Sequence, residues 1–280
     1  MTTTAAQHYS IPVSARVFTV TGAGSGIGAA TVRLLAQNGA AAIHACDRDP
    51  ASLATLTAQV AEINPLTGLF TREVDVSDPA AVESWIRSVA ASSGGVIHGA
   101  ANVAGVPQPA FSSADGSAEK YAPAILEQTD DDWRRVFGVN TDGVMRCTRE
   151  QVRVMSAMPA GSNPSIVNVS SMASLLHGPS AFAYGASKAA CAHFTTCVAK
   201  DVYPCGIRAN TVSPGNTFTG MTKAFFGHLS REETEDRLKQ AGVGARMLDA
   251  EDVARSIVWL LSEASLDVNG VNLPVGEGIP

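Results

Sequence analysis

The sequence predicts an α/β fold: a doubly wound parallel sheet of about seven strands with helices on both faces. Three observations predict it. Short β-rich runs alternate with longer helix-like ones along a 280-residue chain, and strict alternation of this kind builds parallel sheets. The residues that break either pattern cluster just after the strand-like runs, where sheets of this class bind ligands. Hydrophobic residues make up 45% of the chain and charged residues 16%, which supplies a sizeable core and excludes a disordered chain. One domain over residues 1–280 is the simplest reading of that length, with residues 1–14 a loose tail.

The elements follow in order. Val17 to Thr21 is a β run. Ala29 to Asn38 is helix-like and stops at Gly39, a helix-ending residue. Ala41 to Cys46 is β-like, Ala51 to Ile63 helical, Leu69 to Val76 a strand, Ala80 to Ala91 helical and Val96 to Val103 a strand. Asp130 to Met158 reads as one long helix behind a Thr-Asp-Asp cap. Ser165 to Val169 is a strand, Tyr184 to Val202 a helix and Ile207 to Val212 a strand. Ala250 to Ser262 (helix) and Val271 to Val275 (strand) close the alternation. Glu232 to Lys239 is a charge run that fits a solvated helix face. The one low-complexity stretch, PQPAFSSADGSAEKYAP at 107–123, reads as a long loop, a kind that is usually functional or disordered.

Composition excludes several classes. Net charge is −6 with no basic block, which argues against nucleic acid and anionic membrane surfaces as partners. No run approaches the ~18 apolar residues of a membrane span. The N-terminus has no basic segment followed by an apolar one, so no signal peptide is expected. Five scattered cysteines without a CxxC pair read as reduced thiols of a cytoplasmic protein. The dispersed histidines and cysteines offer no metal site.

TVTGAGSGIG, residues 19–28, places four glycines in seven positions between the first strand and the first helix. Such a loop lets a backbone approach a pyrophosphate, which then sits on the helix N-terminus. A glycine-rich turn without ligand has the same appearance. The carboxylate expected to hold an adenosine ribose is present as Asp47, 19 residues past Gly28. A carboxylate there repels a 2′-phosphate and favours NAD over NADP. Arg48 pulls the other way, since a guanidinium holds that phosphate.

Tyr184 and Lys188 are four residues apart in a helical run and share a face. An ammonium beside a phenol favours the phenolate, which makes such a phenol a general acid/base near neutral pH. Ser171 follows a β run, 13 residues before Tyr184, and its hydroxyl can hold a substrate oxygen. A Tyr-x-x-x-Lys pair alone occurs in many helices by chance; beside a dinucleotide loop and a strand-end serine it points to catalysis.

From about Arg16 to Gly278 the chain resembles the short-chain dehydrogenase/reductase family, single-domain type, with a three-layer Rossmann fold. Thr21 to Gly28 matches TGxxxGIG, with Gly22, Ser25, Gly26, Ile27 and Gly28 as its cofactor residues. Asp75-Val76 matches the adenine-side pair. Asn102-Val103-Ala104-Gly105 resembles NNAG, with Val103 where a second Asn is frequent and Asn102, Ala104 and Gly105 carried as cofactor residues. Pro214-Gly215 matches the turn after the sixth strand, with Thr217 and Thr219 beyond it on the nicotinamide side. The resemblance implies Asn140, Ser171, Tyr184 and Lys188 as catalytic residues. Tyr184 then moves the hydroxyl proton and Ser171 orients the oxygen. Lys188 tunes Tyr184 and binds the nicotinamide ribose, and Asn140 anchors a relay water. It further implies a homotetramer or homodimer.

Specificity is expected from residues 107–123, 173–182 and 216–247. Their apolar residues, Phe218, Met221 and Phe225 among them, suggest a bulky, hydrophobic alcohol: cyclic, terpenoid-, steroid- or polyketide-like. Phe225 and Phe226 fit a lid helix packed on the body equally well. His177 is a candidate substrate contact or a structural histidine. The function that follows is NAD(H)-dependent interconversion of a secondary alcohol and a ketone. The rivals are a non-redox isomerase, lyase or cyclase on the same scaffold, and an NADP-dependent ketoreductase.

Overall fold

The computed structural model describes residues 11–111, 122–177, 181–222, 227, 229–240 and 246–276. Its strands are β1 (Val17–Thr21), β2 (Ala42–Asp47), β3 (Gly68–Glu73), β4 (Gly99–Asn102), β5 (Ser165–Val169), β6 (Arg208–Pro214) and β7 (Asn272–Val275). They form one seven-stranded sheet in the order β3-β2-β1-β4-β5-β6-β7. Every pairing is parallel. The helices are α1 (Gly26–Gln37), α2 (Pro50–Ile63), α3 (Pro79–Ser92), α4 (Asp130–Phe137), α5 (Val144–Met155), α6 (Phe182–Val202), α7 (Arg231–Gln240) and α8 (Ala250–Leu261).

Side chains alternate along each strand, so each face of the sheet feeds its own core. Phe18, Val20, Ala101, Val167 and Val169 pack with α1, α2 and α8. Ala100, Ile166, Ile207 and Ala209 pack with α3, α5 and α6. The three-layer, doubly wound arrangement is the one the alternation predicts. None of the described helices is long and apolar enough to cross a membrane.

Local chemistry sets most helix starts. Asp49 and Asp78 each cap a helix whose next residue is proline, and Asp78 Oδ1 accepts from Ala80 N–H at 2.8 Å. Asp249 and Asp252 form a reciprocal capping box on α8. The expected long helix at 130–158 is not continuous. A π-helical segment, Gly138–Gly143, separates α4 from α5. The cause is tertiary: Asn140 in that segment is tied to Val106, and a Cβ on Gly143 would stand 2.8 Å from Val76 Cγ2.

At the opposite, N-terminal edge of the sheet, Arg16 reaches Glu263 at 2.8 Å and the carbonyls of Ser162 and Asn163. Beside it, His98 Nδ1 accepts the Val17 N–H at 3.1 Å. Burial and the Arg16 charge push the His98 imidazole below its ordinary value of 6.5. Burial does the same to His44, stacked on Phe70 at 4.9 Å. A lowered folded-state value means the unfolded chain takes the proton first. Stability from these histidines is complete above about pH 6.5 and lost as pH falls through the folded values. Melting temperature is therefore expected to drop between about pH 7 and pH 5, and less steeply in His98→Asn, whose amide oxygen still accepts from Val17. Equal slopes for both proteins would refute this.

Candidate active site

The strand order turns outward from β1 in both directions, to β2 and to β4, so a crevice opens beyond the carboxyl ends of these strands. The glycine loop fills the first part of it, and its missing side chains make room mainly for the protein itself. Gly22 is left-handed at φ 64°, and a Cβ there would meet Ala104 Cα at 2.7 Å. A Cβ on Gly28 would meet the Gly22 carbonyl oxygen at 2.1 Å. A Cβ on Gly26 would lie 3.2 Å from the Thr219 methyl. Thr21 Oγ1 accepts from both Val103 and Ala104 N–H, at 3.0 and 3.1 Å. Strand end, loop and the 102–105 segment are thus one packed unit.

The start of α1 fits an anion. Ser25 at its N-cap is exposed and makes no side-chain cap, and the first turn holds no acidic residue. The free N–H groups and the helix dipole remain for a diphosphate. Asp47 stands over the loop, with Oδ2 accepting Gly24 N–H at 2.9 Å and Oδ1 accepting Asp49 N–H at 3.1 Å. Arg48 is exposed. Asp75 accepts from both the hydroxyl and the N–H of Ser77, and these bonds, with the Arg48 charge, hold its carboxyl below the usual range. Val76, Asn102 and Ala104 pack with Thr21, Gly143 and Cys147 around a gap too small for a water molecule.

Asn102, expected on the cofactor side, ends β4. Its side chain is turned into the core, 1% exposed, and bonded to Gln151 at 2.9 Å and Asn168 at 2.8 Å. Only its backbone is left for a cofactor. The site itself lies past it, at Gly105. A Cβ on Gly105 would stand 3.3 Å from both Asn140 Oδ1 and Lys188 Nζ. Lys188 is 3% exposed, donates to the Val169 carbonyl at 2.9 Å, and holds its ammonium 5.8 Å from the Tyr184 ring centroid. Tyr184 is half-buried. Asn140 is fully buried, accepting from Val106 N–H at 2.8 Å and donating to the Val106 carbonyl at 3.0 Å and Ser187 Oγ at 3.1 Å.

Ser170 and Ser171 end β5 with different fates. Ser170 Oγ is buried and donates to the Lys188 carbonyl at 2.7 Å. Ser171 is half-buried and opens a short 3₁₀ turn, Met172–Ser174, accepting Ala173 N–H at 3.1 Å. Beyond β6, Gly215 N–H donates to Val275. Thr217 Oγ1 donates to the Gly215 carbonyl, and Thr219 is held by Thr222. That turn carries Thr219 over Gly26. Of the residues expected to face the substrate, Phe218 is 38% exposed, and Met221 Cε lies 3.9 Å from a Cβ on Gly105. His177 is exposed. Phe225 lies outside the described residues, as do 112–121 of the long loop.

Sequence reasoning missed Gln108, which accepts Tyr184 N–H, and Ser187, which donates to the Tyr184 carbonyl. Their partners are found only in three dimensions, although Ser187 is three residues from Tyr184, within reach of a helical back-bond. It also missed the buried Asn102–Gln151–Asn168 network. The buried thiols Cys46, Cys147 and Cys191 are pushed up by burial, Cys147 to about 12, which makes them unreactive. None of the five cysteines is in a disulfide.

A family model described as enoyl-(acyl carrier protein) reductase matches residues 22–279. The chanoclavine-I dehydrogenase of Arthroderma otae is 47% identical over 271 residues, covering 96% of this chain and 99% of that protein. That of Aspergillus fumigatus is 46% identical over 269 residues with the same coverage. Among solved structures, a short-chain type dehydrogenase/reductase from Mycobacterium ulcerans superposes with a TM-score of 0.81 at 26% identity, over 95% of this chain and 90% of that one.

Proposed function

Since the chain belongs to the short-chain dehydrogenase/reductase family of oxidoreductases, we propose that it is an NAD-dependent dehydrogenase that oxidises chanoclavine-I or an alcohol closely similar to it. The observation that carries the chemistry is the convergence of Lys188 and Asn140 on Gly105, with the Tyr184 ring 5.8 Å from the Lys188 ammonium and Ser171 at the adjacent strand end. The nearly full-length relatives support the substrate.

In this reading the open N-terminus of α1 binds the dinucleotide diphosphate. Asp47 takes the adenosine ribose, and Asp75 and Val76 flank the adenine. When bound, the dinucleotide supplies the hydride acceptor. Tyr184 Oη takes the proton from the substrate hydroxyl as the carbon–oxygen double bond forms. Ser171 Oγ donates to that oxygen and orients it. Lys188 sets a positive charge against the Tyr184 ring and reaches the nicotinamide ribose. Both polar ends of the Asn140 amide are bonded to protein, so a relay water falls to its backbone. The amide's own task is to hold Val106, and through it Gly105, against Lys188. Phe218, Met221 and His177 belong to the substrate side. A homodimer or homotetramer is part of the same proposal and rests on family resemblance; a cytoplasmic location rests on the unpaired cysteines, and a single catalytic domain on the length of the chain.

The test is formation of reduced nicotinamide with chanoclavine-I and a panel of bulky alcohols, with NAD and NADP in parallel. Turnover is expected with NAD. The Asp47→Ala variant removes the carboxylate and leaves Arg48, so its preference for NAD is expected to fall by at least about tenfold, the weight of one charged contact. Net turnover without any change in nicotinamide absorbance would overturn the redox reading. Unchanged preference in the variant would overturn the role of Asp47.

A further inference from the structure

We propose that Gln108 is a positioning residue for Tyr184, acting as an N-cap that a distant loop supplies to the catalytic helix; it rests on the reading of Tyr184 given above. Helix α6 begins at Phe182, and its own N-cap residue is Ala181, whose side chain makes no capping bond. The first N–H groups of a helix have no internal partner, and the third is ordinarily taken by a Ser, Thr, Asp or Asn at the N-cap. In α6 that third N–H belongs to Tyr184. It donates to Gln108 Oε1 at 2.9 Å, across 76 residues of sequence.

The acceptor is itself held. Gln108 is 5% exposed, a costly place for an amide unless it is bonded. The two residues before it are fastened as well. Asn140 brackets Val106 from both sides, and Arg135 Nη2 donates to the Pro107 carbonyl at 3.0 Å. Three residues on, the Phe111 ring lies 5.7 Å from that of Phe182, the first residue of α6. Residues 105–111 therefore form a strut that starts at Gly105, beside Lys188 Nζ, and ends against the first turn of α6.

Tyr184 is gripped at both ends of its main chain. Its N–H is held by Gln108, and its carbonyl accepts from Ser187 Oγ at 2.8 Å. Ser187 Oγ in turn accepts from Asn140 Nδ2 at 3.1 Å. The segment that shapes the cofactor side of the site thus also sets where the Tyr184 side chain leaves its backbone. A tyrosine hydroxyl lies far from its Cα, so a small rotation of the first turn displaces it substantially. Misplacing a reacting group by about 1 Å costs on the order of a hundredfold in rate. What matters in Gln108 is its oxygen, not its bulk.

The experiment compares Gln108→Met, which keeps length and loses the oxygen, with Gln108→Glu, which keeps an acceptor whose charge a helix N-terminus favours. In Gln108→Met, kcat is expected to fall about 10- to 100-fold while KM and the NAD dissociation constant stay within about threefold. Gln108→Glu is expected to recover most of that loss. Hydrogen exchange should find the Tyr184 amide protected in the native chain and at least about tenfold faster in Gln108→Met. Native kcat in Gln108→Met, or Gln108→Glu as impaired as Gln108→Met, would overturn the proposal. Should Gln108→Met not fold, the native chain decides: a Tyr184 amide exchanging like an unbonded one refutes the cap, and a protected one supports it. Tyr184→Phe is run alongside. If it turns over normally, the catalytic reading fails, while amide exchange still reports the cap. If it is inactive and Gln108→Met is not impaired, the positioning proposal alone fails.

Discussion

Replacing Tyr184 with Phe is expected to reduce turnover by at least about a thousandfold, within the range a positioned acid/base supplies, while NAD affinity changes by less than about threefold. The substitution removes one oxygen and leaves the supports of the site in place. Gln108 and Ser187 bond the main chain of residue 184, so neither contact depends on the hydroxyl. Lys188 is anchored by the Val169 carbonyl and keeps its position toward a bound ribose. Steady-state kinetics and fluorescence titration with NAD check both halves. Retained turnover would remove Tyr184 from the proton step, and lost NAD affinity would show that the site had collapsed. Ser171→Ala is the less clean experiment, because Ser171 Oγ also caps the short turn that follows it.

How far the site can be read from residues alone depends on how local each cause is. The sheet was legible because β–α alternation and strand-end glycines are local signals; β1 and β5 fall on the expected residues. Tyr184 and Lys188 were legible because helical spacing places both on one face. The break at Gly138–Gly143 was not, because it arises where Asn140 is pulled onto Val106, 34 residues away. Asn102 is expected on the cofactor side from its place in the motif, whereas the bonds its side chain makes, to Gln151 and Asn168, come from 49 and 66 residues off. Gln108 sits in the long loop expected to shape specificity, and its tie to Tyr184 comes only from the first turn of α6. The residues expected to meet the substrate were the least legible. Phe218 and Met221 carry no motif, and their weight comes from where the turn after β6 lays them.

Among the described glycines, Gly28→Ala is expected to be the most damaging substitution. The added carbon would sit 2.1 Å from the Gly22 carbonyl oxygen and 2.7 Å from its carbon, both backbone atoms in a loop already packed on Ala104. Neither side can give way: Gly22 is left-handed, and the space on its far side belongs to the Ala104 backbone. Overpacking of this kind costs about 1–3 kcal/mol, a loss of roughly 3–10 °C in melting temperature for a chain of this size. The N-terminus of α1 must also tilt away from Gly22, and with it the N–H groups proposed for the diphosphate. NAD affinity should therefore fall by at least about tenfold, since the charge-assisted hydrogen bonds made there depend on alignment. Gly24→Ala is the informative contrast. Its Cβ would meet the Ser52 hydroxyl at 2.0 Å, which can rotate away at the loss of its exposed bond to the Asp49 carbonyl, and the Asp47 carboxyl carbon at 3.0 Å. Melting temperature should hardly move, while NAD binding weakens because Asp47 is displaced. Calorimetry and NAD titration on the two variants separate the loop's packing role from its carboxylate. If Gly28→Ala melts and binds like the native chain, the glycines are not there for the close approach of Gly22 and Gly28, and the account of how this loop holds a dinucleotide is wrong.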